Sequence, residues 1–136
     1  MLSTIKTHYM KTIAIATIAA LAIFTSCRKK PSNESVNSSR TIRYEVTGNF
    51  KGTLFASYTT ATGGTTNDPV SSLPWSKEII YNNSVTAAAI AFSGNGGTAG
   101  QQVIIVVKRG GSQLSSTPVT ADNSGSFTKA APVIIF

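Results

Sequence analysis

The sequence predicts an all-β domain over residues 41–136, and three observations support this fold class. Apolar and polar side chains alternate with a period of two in several short segments. Clusters of Gly, Asn, Asp and Pro interrupt these segments at short intervals. Charged residues make up only 12% of the 136-residue chain, which is too few for a coiled coil or a helical bundle.

The first two strands are predicted from strict alternation. Their apolar faces are formed by Ile42, Tyr44 and Val46, and then by Leu54, Ala56 and Tyr58. The composition of residues 61–69, with Gly, Thr, Asn, Asp and Pro, predicts a loop. A third strand is expected at 70–73, and Pro74 directly after it indicates a sheet edge or a bend.

The second half of the domain continues the pattern. Strands are predicted at 75–81 and 85–93, and Asn82-Asn83 between them is a signal for a hairpin turn. The Gly-rich segment 94–100 predicts a hairpin loop. Because residues 103–107 are continuously apolar, we expect a central strand covered on both faces. A turn at 109–112 leads into a strand at 113–117. The last predicted segment follows the polar residues 122–125 and ends with the apolar residues 133–136.

Seven or eight short strands within residues 41–136 are typical of an immunoglobulin-like antiparallel β-sandwich. We therefore predict a sandwich of about seven strands, preceded by a signal peptide and a flexible tether. The predicted divisions are a signal peptide at 1–26, a lipidated cysteine and tether at 27–40, and the sandwich at 41–136.

Residues 1–26 have the pattern of a secretory signal peptide. Lys11 precedes an apolar run of 12 residues at 13–24, and small residues follow it. A retained transmembrane anchor is the alternative, but spanning a bilayer takes about 20 apolar residues. Because Met10-Lys11 is itself a compact basic start, translation from Met10 instead of Met1 is a second possibility.

The segment Phe24-Thr25-Ser26-Cys27 resembles a bacterial lipobox. The resemblance implies diacylglyceryl transfer to the Cys27 sulfur, cleavage between Ser26 and Cys27, and acylation of the new amino group. Each buried CH₂ contributes about 0.8 kcal/mol, so two or three acyl chains anchor a protein firmly where one does not. We expect a lipoprotein of the cell envelope, in the outer membrane and facing the periplasm.

Residues 28–40 are predicted to be a flexible tether, since Val36 and Pro31 are their only apolar side chains. Thirteen residues span at most roughly 45 Å. The three adjacent cations at 28–30 can add about 1 kcal/mol each on an anionic leaflet. An ordinary solubilising tail is an equally good interpretation of the same residues.

The net charge of +7 does not indicate nucleic-acid binding. Six cations and four anions leave only +2 on residues 41–136, so the basic character comes mainly from the N-terminal segments. We expect no nucleic-acid partner.

The sequence predicts no catalytic site, cofactor or metal. Cys27 is the only cysteine and His8 the only histidine, which excludes the usual nucleophile–histidine arrangements in the sandwich. The acids lie on separate elements and are therefore expected on the solvated surface; they are Glu45, Asp68, Glu78 and Asp122. The Gly-rich segment 94–100 lacks the Lys-Ser/Thr of a phosphate loop. Trp75 is expected in the core, with a ligand platform as the alternative.

Three segments are similar to the soluble domain of the mycobacterial MmpS family. They are Tyr44-Glu-Val-Thr-Gly48, Tyr58-Thr-Thr-Ala-Thr-Gly-Gly-Thr65 and Leu73-Pro-Trp-Ser-Lys77, of which the third is the most specific. The similarity covers about residues 41–95. It implies an immunoglobulin-like sandwich outside the membrane that assists a large exporter without catalysis. This chain differs in having a lipobox instead of a transmembrane helix, and in lacking the cysteine pair of the mycobacterial members.

The leading functional hypothesis is therefore a non-enzymatic, membrane-anchored lipoprotein whose sandwich binds or assists another envelope component, such as an exporter. A surface module that binds carbohydrate or mediates adhesion is the alternative. A hydrolase would need a deep cleft with two converging carboxylates.

Overall fold

The structure is a computed structural model, and it describes residues 39–136. The predicted signal peptide, Cys27 and most of the predicted tether lie outside the described residues. Within 39–136 every regular element is a strand, and the bounds of the ten strands are as follows: β1 Thr41–Gly48, β2 Thr53–Thr59, β3 Thr65–Val70, β4 Trp75–Ile80, β5 Ala87–Ala88, β6 Ile90–Asn95, β7 Gln102–Arg109, β8 Ser112–Thr120, β9 Phe127–Ala130 and β10 Ile134–Ile135.

The strands form two four-stranded sheets and a short ribbon, all antiparallel. Sheet A has the order β4-β1-β7-β8, and sheet B has the order β3-β2-β6-β9. The two-residue strands β5 and β10 pair with each other. The prediction of an all-β, immunoglobulin-like sandwich is confirmed.

A single apolar core lies between the inner faces of the two sheets. The alternation predicted from the sequence places Ile42, Tyr44 and Val46 of β1 in this core, each fully buried. Leu54, Ala56 and Tyr58 of β2 are buried as well. Period-two alternation thus identified the inward faces of both central strands, because one face of each is covered and the other is not.

The sandwich has two ends, which we call the near end and the far end. The near end is where the described chain begins, and it also contains the segments 60–64, 81–86, 110–111 and 131–136. Backbone hydrogen bonds join these segments, for example from Tyr81 N to Arg40 O at 3.0 Å and from Phe136 N to Thr86 O at 3.0 Å. The far end contains the segments 49–52, 71–74, 96–101 and 121–126.

Strand β3 corrects two sequence predictions. Residues 61–69 were expected to form a loop and 70–73 a strand, but Thr65–Val70 is a strand and 71–74 forms the bend. The strand pairs with β2 from Leu54↔Val70 to Thr59↔Thr65. Its polar composition is tolerated because β3 is an edge strand with only Val70 buried. Pro69 is acceptable there for the same reason, since an edge strand has one unpaired side.

Two predicted hairpins are also wrong. The segments on either side of Asn82-Asn83 do not pair, because β4 pairs with β1 in sheet A whereas β6 pairs with β2 in sheet B. Likewise, the Gly-rich segment connects β6 of sheet B to β7 of sheet A. Both connections cross between the sheets. The predicted strand 85–93 is divided into β5 and β6, which belong to different sheets.

The remaining strand predictions hold in part. Strand β7 is central in sheet A, between β1 and β8, as expected. It is not covered on both faces, however, because Ile105 is fully buried while Ile104 is 42% exposed. The predicted turn at 109–112 connects β7 to β8 as a hairpin. The register of this hairpin shifts between Val107 and Lys108, and Leu114 is left without a cross-strand partner.

Candidate functional site

The three motifs that resemble the MmpS family meet at one open side of the sandwich. Tyr44 on β1 and Tyr58 on β2 face each other across the core, with ring centroids 6.5 Å apart. Lys77 on β4 extends from sheet A toward sheet B and places its Nζ 5.5 Å from the centroid of the Tyr58 ring. We call these three residues, together with Asp68 and Trp75, the motif cluster. Its members come from the four consecutive strands β1 to β4, which belong to both sheets.

Lys77 and Asp68 connect the edge strands of the two sheets. The Nζ of Lys77 lies 3.6 Å from Oδ2 of Asp68, and the Tyr58 hydroxyl donates a hydrogen bond to the same oxygen. The Tyr58 hydroxyl and the nearby cation lower the pKa of Asp68. The Tyr58 hydroxyl and Asp68 raise the pKa of Lys77. Both groups are therefore charged at neutral pH, so neither is poised to exchange a proton, and the contact is a link between the sheets.

A buried hydroxyl chain lies behind this link. The Tyr44 and Tyr81 hydroxyls are 2.9 Å apart, and the Tyr81 hydroxyl donates to the carbonyl of Thr59 at 2.9 Å. Because Tyr81 uses its proton for Thr59, Tyr44 is the donor between the two tyrosines. Burial raises the pKa of both phenols above the ordinary phenol value, most strongly that of Tyr44, so both remain protonated at neutral pH. The chain satisfies polar atoms that would otherwise be costly in the core.

Trp75 packs against the core, the position that the sequence analysis favours over a ligand platform. Its ring meets the Phe92 ring edge to face, with centroids 5.6 Å apart and planes at 83°. On its other side Trp75 lines a groove of about 250 Å³ together with Arg43 and Glu45. Trp75 is thus mainly a structural contact between the sheets, with one edge open to a small groove.

The acids predicted to lie at the surface occupy separate networks. Glu45 pairs with Arg43 and Lys108 at 2.8 Å each, and the hydrogen bond from Lys108 is the main cause that lowers its pKa. Asp122 accepts hydrogen bonds from the backbone N–H groups of Ser124 at 2.9 Å and Ser126 at 3.0 Å. These carboxylates stabilise turns and sheet faces. Among residues 39–136, no cluster of His, Cys, Asp and Glu suitable for a metal occurs.

The far end has a recess that sequence reasoning missed. Two adjoining hollows of about 280 Å³ and 520 Å³ share the same central wall. The residues common to both hollows are Lys51, Gly52, Leu54, Val70 and Ser71. Leu73, the first residue of the third motif, lines the smaller hollow. We call the two hollows together the far-end recess.

Glycines keep the walls of the recess in place. The ring of Phe50 packs so closely on Gly94 and Gly97 that a Cβ at either glycine would lie 2.8 Å or less from ring carbons. The Gln101 side chain accepts hydrogen bonds from Lys51 N and Thr98 N, both at 3.1 Å. The recess is therefore preformed. The Gly-rich segment 94–100 was the available signal, and two of its glycines, Gly94 and Gly97, allow close packing against Phe50.

The near end has a cluster of side-chain contacts around Phe136 that the sequence did not predict. The Phe136 ring contacts two guanidinium groups, with Cζ of Arg40 at 4.2 Å and Cζ of Arg109 at 4.9 Å from its centroid. Arg40 also donates to the carbonyls of Tyr81 at 3.1 Å and Asn82 at 2.6 Å. The start of the described chain and its C-terminal residue are thereby fastened together.

The chain was compared with protein-family models, curated proteins and solved structures, and none of them matches it. No helix long and apolar enough to cross a membrane occurs in residues 39–136. The predicted lipidation and cleavage residues, Cys27 and Ser26, lie outside the described residues. The lipid anchor and the MmpS-like identity remain predictions.

Proposed function

We propose that the protein is a non-enzymatic lipoprotein of the outer membrane that faces the periplasm and binds another envelope component. Cys27 is the lipid-attachment residue in this proposal, and cleavage occurs between Ser26 and Cys27. An exporter is the partner class that the motif resemblance implies. The far-end recess is the binding surface, and no cofactor is required.

The far-end recess is the observation that carries this proposal. It is preformed by packed glycines and hydrogen-bonded loops, which reduces the entropy that binding would cost. Its described lining residues include hydroxyls and the cation of Lys51, but no carboxylate or thiol. A site of this composition supports recognition of a polar or acidic surface.

The anchor is tested by replacing Cys27 with Ala. We expect the substitution to abolish labelling by a fatty-acid probe in cells and to release the protein from the membrane fraction. Ser35→Ala is the control, since it also lies between the signal peptide and the sandwich and should leave labelling unchanged. Continued fatty-acid labelling of the Cys27→Ala variant would contradict lipidation at this sulfur.

The binding surface is tested by placing a photo-crosslinking amino acid at Ser72, an exposed position in the recess. Irradiation of intact cells should give a discrete adduct with an envelope protein. Lys51→Glu should reduce that adduct, because it reverses the charge in the recess. Lys129→Glu is the matched control, since Lys129 is also exposed but lies on β9. A Ser72 adduct that is absent, or that is equally strong in both variants, would argue against the recess.

The second candidate function is a surface module that binds carbohydrate. One observation favours it, namely the groove of about 250 Å³ where Trp75 lies beside Arg43 and Glu45. Against it, the exposed large apolar side chains among the described residues are all aliphatic, whereas sugar platforms are aromatic. Glycan binding that Trp75→Leu abolishes, together with protease sensitivity of the domain in intact cells, would establish this alternative.

A further inference from the structure

Exposed apolar side chains are concentrated at the near end of the sandwich. Among the described residues five large apolar side chains are exposed, and four of them lie at this end: Ile80 at 69%, Leu114 at 44%, Val133 at 59% and Ile135 at 67%. Only Ile104, at 42%, lies toward the far end. Apolar residues scattered singly need no explanation, but four at one end form a feature of the fold.

Three of these exposed side chains line one groove. Leu114, Val133 and Ile135 line a common groove of about 250 Å³ between β8 and the C-terminal segment. The segment is held in place, because Arg109 donates from Nη2 to the carbonyl of Ile135 at 2.8 Å and Ile134 pairs with Ala88. We call this groove the near-end patch; Ile80 lies at the same end but on the opposite edge strand of sheet A. The exposure of the patch therefore does not come from an unattached chain terminus.

Position and charge indicate what covers the patch. The described chain begins at this same end, where Gly110 N donates to Thr41 O at 3.1 Å, so the predicted anchor at Cys27 is connected to the protein here. The cations Arg40, Arg43 and Lys108 lie in the same half of the sandwich. Arg43 and Lys108 are paired with Glu45 there, so the charge that is complementary to an anionic leaflet is that of Arg40 and of the predicted cations at 28–30. An amphipathic surface of this kind suits a lipid headgroup layer.

We propose that the near-end patch lies against the lipid headgroups of the anchoring leaflet, so that the sandwich stands on the membrane with its far end directed outward. This inference rests on the proposed lipid anchor at Cys27. Residues 28–40 can span at most roughly 45 Å, which keeps the patch at high effective concentration near the bilayer. A weak apolar contact is then sufficient to orient the domain.

The test uses single cysteine variants of the full lipidated chain, since Cys27 is the only native cysteine and lipidation blocks it. A fluorophore is attached at Leu114→Cys or, as the control, at Ile104→Cys. The two positions are matched in exposure at 44% and 42% and both lie in sheet A. The register of the hairpin places them about 10–13 Å apart along the strands.

The labelled proteins are reconstituted into vesicles of phosphatidylethanolamine and phosphatidylglycerol that contain a headgroup-nitroxide lipid. We expect quenching at Leu114→Cys to exceed that at Ile104→Cys by about threefold, because nitroxide contact requires the headgroup layer, which is 5–10 Å deep. Val133→Cys provides a second position at the near end and should behave like Leu114→Cys.

Vesicle flotation separates the failure of this inference from the failure of the anchor. If the chain does not float with the vesicles, the proposal of a lipid anchor is wrong, and the proposed orientation is then wrong as well. Floating protein with equal quenching at positions 114 and 104 would overturn the orientation alone. If position 114 is accessible in pure lipid and shielded only in native membranes, then a protein covers the patch and the proposal is overturned.

Discussion

The buried hydroxyl chain gives a prediction with an unequal outcome for two apparently similar substitutions. In Tyr44→Phe the Tyr81 hydroxyl keeps its bond to the Thr59 carbonyl, and only one neutral hydrogen bond is lost. We expect this substitution to lower the free energy of unfolding by about 1 kcal/mol. In Tyr81→Phe the Tyr44 hydroxyl loses its acceptor inside the core and Thr59 loses its donor. We expect this second substitution to cost about 2–4 kcal/mol.

Urea unfolding of the purified chain, monitored by the fluorescence of Trp75, measures both values. Trp75 is the only tryptophan and lies against Phe92 in the core, so its emission reports loss of the sheet-to-sheet contact. The double variant should cost less than the sum of the single variants, because no unpaired phenol remains. Equal costs for the two single variants, or a larger cost for Tyr44→Phe, would refute the assignment of donor and acceptor.

The buried hydroxyl chain of Tyr44 and Tyr81 also makes the free energy of unfolding sensitive to alkaline pH. Burial raises the pKa of Tyr44 above the ordinary phenol value of 10.0, so the contribution of this group is fully present below pH 10.0. Above that pH the unfolded chain releases a proton that the folded chain retains, and the free energy of unfolding falls. Tyr44→Phe should make this alkaline decline shallower. A decline as steep as that of the native chain would count against a buried, protonated Tyr44.

Three further predictions concern stability and are measured by thermal unfolding. Gly125→Ala should destabilise the domain strongly, because its Cβ would lie 2.0 Å from a backbone oxygen. Gly96→Ala is the control at the same φ of 71° but in open space, and it should cost only about 1–2 kcal/mol. Similar losses for the two variants would contradict the packing around Gly125. Asp122→Ala should lower the midpoint, because its carboxylate closes the 122–126 turn, whereas Asn123→Ala should not. Phe136→Ala should cost about 1–3 kcal/mol through lost aromatic and cation–π contacts, and an unchanged midpoint would show that the C-terminus is not fastened.

The sequence was informative where a strand buries one face and exposes the other. Ile42, Tyr44 and Val46 follow that rule, and their strand was predicted with its inward face. It was uninformative for β3, because an edge strand with a single buried residue, Val70, has no apolar alternation to detect. The continuous apolar run in β7 was misleading, since Ile104 is exposed on the outer face of sheet A.

Connections between the sheets were beyond sequence reasoning for a physical reason. Asn82-Asn83 has the composition of a hairpin turn, but composition does not determine whether the next strand returns to the same sheet. The motif cluster was recognised as three sequence segments, whereas the contact between Lys77 and Asp68 depends on how the edges of two sheets align. The far-end recess likewise arises from loops that come together only after the sheets have packed.

The position of β1 has a mechanical consequence for an anchored protein. This strand begins at the near end and is hydrogen-bonded to β4 on one side and β7 on the other along nearly its whole length. A pull on the chain ahead of Ser39, directed along β1, loads those interstrand bonds together in shear, because they run perpendicular to the strand. Peeling them apart one at a time would require a force across the sheet. In the proposed lipid-anchored form, tension directed along β1 would therefore act in a direction in which the domain resists extraction.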